Sequence, residues 1–254
     1  MFISSLSGSG KPSGSGSGSG SGSEPARYKP IIAFIDGYGN GFDRTSLKTQ
    51  ITNIKTLYPN TKVLASVGGG SAGDWSSAYD LSALKRFVEE TGVSGFDLDY
   101  EPPTAWSPDS SVAKKYLKMT QDFRSILPVG NKLLTTAVWA SGVSTGNAIP
   151  ALQSGLFDYV NIMTYDSGEI NYFDYSGAID QFAKYVDVSK ILVGIESPIE
   201  GWGNHVTSIE EAKFAANAVL SKKAAGLFTW YFNKNDSSPT ETQLRAAVKD
   251  VLKV

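Results

Sequence analysis

The 254-residue chain contains no cysteine and a single histidine, His205. The first absence excludes disulfides, thiolate metal sites and cysteine nucleophiles; the second excludes multi-histidine metal centres. No apolar run approaches the roughly 18 residues of a membrane span, so no membrane partner is expected. Neither sign of charge is in excess, because 23 basic residues face 25 acidic ones for a net charge of −2. That balance gives no electrostatic case for nucleic acid as a partner. The opening MFISSL is too short for a signal-peptide core and lacks a basic start, so no signal peptide is expected. What remains is a globular composition, 41% hydrophobic and 19% charged, in a length that one α/β barrel routinely occupies.

Residues 7–24 read SGSGKPSGSGSGSGSGSE. Strict Gly-Ser alternation buries no side chains and behaves as a flexible coil. Its regularity resembles an engineered linker, and it is set apart from the fold. Residues 25–254 are expected to form one domain. Short apolar runs at 31–36, 62–67, 95–100, 132–139, 159–165, 190–196 and 225–231 have the length and β-branched or aromatic content of strands buried on both faces. Between them, 44–58, 79–91 and 110–127 carry apolar residues at helical spacing, the last with Val112, Tyr116, Met119, Phe123 and Ile126 on one face. Ser208 with Glu211, and Ser238 with Glu241, read as capping boxes opening two final helices. Alternating strands and helices predict a parallel sheet. Seven strands are one short of a (β/α)8 TIM barrel, and residues 2–6 (FISSL) are the expected first strand, with the Gly-Ser run as its connection to the second.

The segment 95–101, GFDLDYE, carries the chemistry. Side chains alternate along a strand, so Asp97, Asp99 and Glu101 share one face and Phe96, Leu98 and Tyr100 the other. Burial and mutual repulsion raise carboxyl pKa values, which keeps one acid protonated near neutral pH, as a general acid requires. Glu101 is the last of the three and the most accessible, at the strand end where barrels keep their catalytic groups. Neighbouring ligands on a straight strand do not converge on one ion, so no metal is expected there. Trp75, Trp106, Trp139, Trp202 and Trp230 all fall at or just after strand C-termini, as do Tyr38, Tyr165, Tyr172 and Tyr175. Aromatics massed on one rim suggest a cleft for rings with apolar faces, as sugars have.

Residues 94–101, SGFDLDYE, resemble the D-x-x-D-x-D-x-E signature of glycoside hydrolase family 18, the chitinases and endo-β-N-acetylglucosaminidases. Ser66-Val-Gly68-Gly69 resembles the family's S-x-G-G motif, Met163-Thr-Tyr165-Asp166 its M-x-Y-D motif, and Trp230 its eighth-strand tryptophan. The resemblance implies a retaining hydrolase of β-1,4-linked N-acetylglucosamine, in chitin or chito-oligosaccharides. The N-acetyl carbonyl of the substrate, rather than an enzyme carboxylate, attacks the anomeric carbon and forms an oxazolinium intermediate. It further implies Glu101 as acid and base, Asp99 orienting the acetamido group, and Asp97 tuning Asp99. Tyr165 would donate to the acetamido oxygen, Asp166 would hold substrate and Trp230 would form the floor. Met163, Tyr38 and Trp139 complete the expected sugar-binding set. Where the signature begins with Asp, this chain has Ser94. N-glycan cores as substrate, or sugar binding without turnover, are the alternatives. No cofactor is expected, the partner is an oligo- or polysaccharide, and a monomer is expected. A polymeric substrate outside cells implies an extracellular parent protein.

Other motifs carry less. The stretch 37–41, GYGNG, lacks dinucleotide-binding spacing and reads as a flexible loop at the cleft, while Gly68-Gly69-Gly70 lacks the Lys of a phosphate loop. His205 reads as a lone surface-loop histidine. Glu196 and Glu200 follow the seventh strand, where lining the cleft, helix capping and solvation all remain open.

Overall fold

The computed structural model describes residues 2–5, 31–34, 44–166, 173–197, 199–201, 203–231 and 238–253. The Gly-Ser run at 7–24 and the 37–41 loop lie outside the described residues, with Tyr38, Tyr172 and Trp202.

Six consecutive strands build a curled parallel sheet flanked by helices: β3 (Lys62–Gly68), β4 (Gly95–Asp99), β5 (Leu133–Trp139), β6 (Tyr159–Met163), β7 (Ile191–Glu196) and β8 (Gly226–Trp230). A further strand, β2 (Ile31–Phe34), joins parallel to β3. The N-terminal segment forms β1 (Phe2–Ser5), paired with β2 and β8 and antiparallel to both. The parallel direction expected of a first (β/α)8 strand does not form. A parallel pair needs a crossover, usually helical, to carry the chain back to its start. A Gly-Ser run is a poor helix former and offers no apolar face to pack.

Helices α1 (Arg44–Leu57), α2 (Leu81–Thr91) and α3 (Ser110–Ser125) follow the three expected periodic stretches. Asp80 caps α2 by accepting from the Ser82 and Ala83 amides, and Gly92, at φ 75°, ends it. Asp109 caps α3 through the Ser111 amide. Two helices escape the sequence pattern, α4 (Ile149–Gln153) and α5 (Tyr175–Phe182). The first is only five residues long, and Gly177 dilutes the second. Ser208 caps α6 (Ile209–Lys222) through the Glu211 amide, as expected. The box on α7 (Glu241–Leu252) is displaced by two residues: Thr240 and Gln243 exchange bonds there, and the Glu241 carboxylate takes Arg245 instead. Reciprocal bonding at Thr240 satisfies two end donors at once. Among the described residues no helix is long and apolar enough to cross a membrane.

The core has two layers. Phe96, Leu98 and Tyr100 point outward from β4 and pack among Tyr116, Met119 and Phe123 of α3. Leu64, Ala137, Trp139, Met163, Tyr165, Leu192 and Phe228 form the inner cluster. Trp75 belongs to the outer layer, edge-on to Tyr79, Tyr100 and Phe123, and not to a sugar-facing rim. Tyr175 is likewise buried on α5, where its hydroxyl donates to Glu211. Neither ring's position after a strand was sufficient, because helices packed over the sheet need large apolar side chains as well.

Candidate active site

Strand β4 has no exposed residue, yet carries Asp97 at 0% and Asp99 at 2% exposure; Glu101, just beyond it, is half-buried. The alternation places these three on the inner side and the aromatic residues against the helices. Asp97 accepts three hydrogen bonds: from Thr135 Oγ1 at 2.5 Å, Ser66 Oγ at 3.1 Å and Asn161 Nδ2 at 3.1 Å. Burial pushes its carboxyl up to about 6, against the pull of those three donors. Asp99 is pushed well above the usual carboxylate range, by burial first and then by the charges of Glu101 and Asp97. Its Oδ1 has no hydrogen-bond partner among the described residues. Glu101 is also raised, by burial first and by the charge of Asp166, while the Asp99 side chain opposes the rise. Neighbouring carboxyls that are both raised favour a protonated form of the pair.

The 66–69 motif has a spatial reason. Ser66 reaches Asp97, while Gly68, at φ 113°, lies so close to β4 that an added Cβ would stand 2.0 Å from the Asp99 carbonyl oxygen. The Gly69 amide donates to that same carbonyl at 2.8 Å. Any larger residue at 68 would push β3 from β4. Ser94, at the opposite end of β4, accepts from the Val63 amide at 3.2 Å. Its work is to join β3 to β4, on the end away from Glu101.

Strand β6 brings the second motif. Met163 and Tyr165 are buried in the inner cluster, and the Tyr165 hydroxyl has no hydrogen-bond partner among the described residues. Burial raises Tyr165 well above its ordinary range, followed by the charges of Asp99, Glu196, Glu101 and Asp166. A neutral phenol beside carboxyls, with its own donor unused, is ready to donate to a bound ligand. Room for the ring comes from Gly194, where an added Cβ would stand 2.5 Å from both Tyr165 Cε1 and Phe228 Cζ. Asp166 takes a left-handed φ of 52°, and its amide donates to Glu200 Oε2 at 2.9 Å. Trp230, partly buried, packs on the inner cluster that also holds Trp139.

Thus Asp97, Asp99, Glu101, Tyr165, Asp166, Met163, Trp139 and Trp230 gather at one end of the sheet. Three further residues join them. Thr135 and Asn161 hold Asp97, and their signal was a polar residue at an inward position of an otherwise apolar strand. Glu200, 6% exposed, ties down Asp166 and is pushed up to about 7, chiefly by burial. His205 is no surface histidine. Its Nε2 lies 2.7 Å from buried Glu211, with only 11% of the side chain exposed. The carboxylate at the start of α6 needed partners, and His205 and Tyr175 supply them. Among the described residues no group of three or more His, Cys, Asp or Glu side chains is arranged to hold a metal ion.

Buried, raised carboxyls at the C-terminal end of a parallel sheet, beside aromatic walls, are what a glycosidase site requires. The chain belongs to the glycosyl hydrolases family 18, which matches residues 28–247. It is 26% identical to Chitinase 63 of Streptomyces plicatus over 254 residues, covering 82% of this chain and 40% of that protein. Over 128 residues it is 29% identical to Probable chitinase 2 of Drosophila melanogaster, covering 46% of this chain and 26% of that one. The chain therefore spans well under half the length of these curated relatives. In fold it is similar to a family 18 chitinase from Pseudoalteromonas aurantia, with a TM-score of 0.66, 18% identity and coverage of 80% and 81% of the two chains.

Proposed function

We propose that the chain hydrolyses β-1,4-linked N-acetylglucosamine in chitin or chito-oligosaccharides, with retention of anomeric configuration. The observation that carries this reading is the neighbouring, raised carboxyls of Asp99 and Glu101, with the Tyr165 hydroxyl, unpartnered among the described residues, buried in the inner cluster. Glu101 gives its proton to the glycosidic oxygen as the bond to the anomeric carbon breaks. The substrate's N-acetyl carbonyl oxygen bonds to that carbon in place of the leaving sugar, giving an oxazolinium ion. Asp99 accepts from the acetamido N–H and balances the positive charge, while Tyr165 donates to the acetamido oxygen. Water then gives a proton to the Glu101 carboxylate and adds to the anomeric carbon, and the oxazolinium ring reopens. Two inversions leave the configuration unchanged.

Asp97 sits behind Asp99 and tunes its protonation, Asp166 steadies the bound sugar, and Trp230 forms its floor with Met163 and Trp139 around it. The barrel itself closes to eight strands through Phe2–Ser5, supported by its pairing with both β2 and β8. Residues 7–24 are a linker of engineered origin between β1 and β2. The protein acts as a monomer without a cofactor, and its natural parent is extracellular, where the polymer is.

Proton NMR during hydrolysis of chitotetraose tests the reading. The β-anomer is expected as the first product; an initial α-anomer would show inversion and overturn it.

A further inference from the structure

Asp166 is left-handed, and its carboxylate lies against the backbone of Gly201, where an added Cβ would stand 3.5 Å from Oδ1. The loop that faces it, between β7 and α6, is itself strained. Ile199, at φ 52°, and Asn204, at φ 55°, are left-handed too. A β-branched residue rarely adopts that conformation, so such a backbone persists only where its surroundings dictate it. The Glu200 amide donates to the His205 carbonyl at 2.8 Å, and Glu200 Oε2 accepts from the Asp166 amide at 2.9 Å. What holds His205 is buried. Its Nε2 lies 2.7 Å from Oε2 of Glu211, whose other oxygen accepts from the Tyr175 hydroxyl of α5 at 3.1 Å. The Glu211 amide in turn donates to Ser208 Oγ at 3.0 Å. That carboxylate is thus fixed between α5 and α6, and a buried carboxylate gives up a partner only at high cost. A continuous path then runs from Glu211 through His205 and Glu200 to Asp166, each step a hydrogen bond.

We propose that His205, fastened to Glu211, is a positioning residue that holds Asp166 in place through Glu200. Its importance to the reaction rests on the hydrolase reading above, in which Asp166 steadies the bound sugar. The imidazole ties the loop to α6, the loop sets where the Glu200 carboxylate stands, and that carboxylate holds the Asp166 backbone. A side chain that must be in place before the sugar arrives costs less to order when its support is already rigid. Reach is what the role demands of position 205. A glutamine amide extends about as far as the ring Nε2, whereas an asparagine amide stops short of Glu211.

The test compares His205→Asn with His205→Gln. Amide hydrogen exchange followed by NMR reads the link without any substrate. In His205→Asn the Asp166 and Glu200 amides are expected to exchange at least about tenfold faster, with the Gly69 amide unchanged; in His205→Gln all three stay within about twofold. Hydrolysis of chitotetraose reads what the link is for. His205→Asn should lower kcat/KM at least about fivefold, mainly through KM, but by less than about twofold in an Asp166→Ala background, where the residue it positions is gone. Unchanged exchange at Asp166, or equal kinetic losses in the two backgrounds, would overturn the proposal. Should His205→Asn not fold, Glu211→Gln keeps the buried shape, weakens the same contact and carries the same two measurements. If the unmodified protein hydrolyses nothing, the hydrolase reading fails, and the exchange rates alone decide whether His205 holds Asp166.

Discussion

Asp99 and Glu101 stand two residues apart on the inner face at the end of β4, the first 2% exposed and the second half-buried, and both carboxyls are raised above their ordinary range. Strand geometry alone separates such side chains by about two residue rises, ~6.5–7 Å between Cα atoms. Burial and the neighbouring negative charges therefore favour a proton on the pair.

Asp97 gives the folded state a pH dependence of known sign. Its carboxyl is raised to about 6 in the fold, above its ordinary range, so ionising it opposes folding. The difference from ~3.9 amounts to roughly 3 kcal/mol. Its contribution is least unfavourable below about pH 4 and worsens as pH rises through 6. In Asp97→Asn, the decline of melting temperature between pH 4 and 7 should be visibly shallower than in the unmodified protein. Parallel melting profiles would remove Asp97 from this role.

Tyr165 separates stability from chemistry. Its hydroxyl makes no hydrogen bond among the described residues, so Tyr165→Phe gives up no bond in the free protein. The melting temperature should stay the same or rise, while kcat falls about 100-fold, as when one donor to a reacting oxygen is lost. Gly194→Ala should reduce both, because its Cβ would strike the Tyr165 and Phe228 rings at 2.5 Å. Thermal melts and steady-state kinetics on the two variants check this contrast.

Glu200 holds Asp166 by accepting from its amide at 2.9 Å. Glu200→Gln keeps an acceptor for that amide but loses the charge, whereas Glu200→Ala loses both. The Ala variant should lose kcat/KM at least about tenfold. The Gln variant should retain most turnover and lose whatever part of the pH profile titrates near 7, where the Glu200 carboxyl is raised chiefly by burial. Equal losses in the two variants would show that charge, rather than the hold on Asp166, matters.

The parallel sheet and the acid-bearing strand β4 were legible because their signals are local. Apolar runs marked β3 to β8, and alternation along 95–101 assigned the faces of Asp97, Asp99 and Glu101 correctly. Direction was harder to read, since FISSL has the pattern of a strand but nothing in it distinguishes parallel from antiparallel pairing. Position after a strand also overcounted rim aromatics, because Trp75 and Tyr175 turn toward the helices. Partnerships across the sheet were invisible. Thr135 and Asn161 meet Asp97 from β5 and β6, 38 and 64 residues away. His205 looked solitary until α6 placed Glu211 beside it.

The most direct measurement is hydrolysis of a fluorogenic chitobioside from pH 4 to 8 by the chain and by its Glu101→Gln variant. The amide cannot serve as the acid, so turnover is expected to fall at least about 100-fold throughout that range, with sugar binding retained. Near-undiminished turnover in the variant would contradict the assignment of Glu101 and, with it, the Asp99–Glu101 pair as the seat of catalysis.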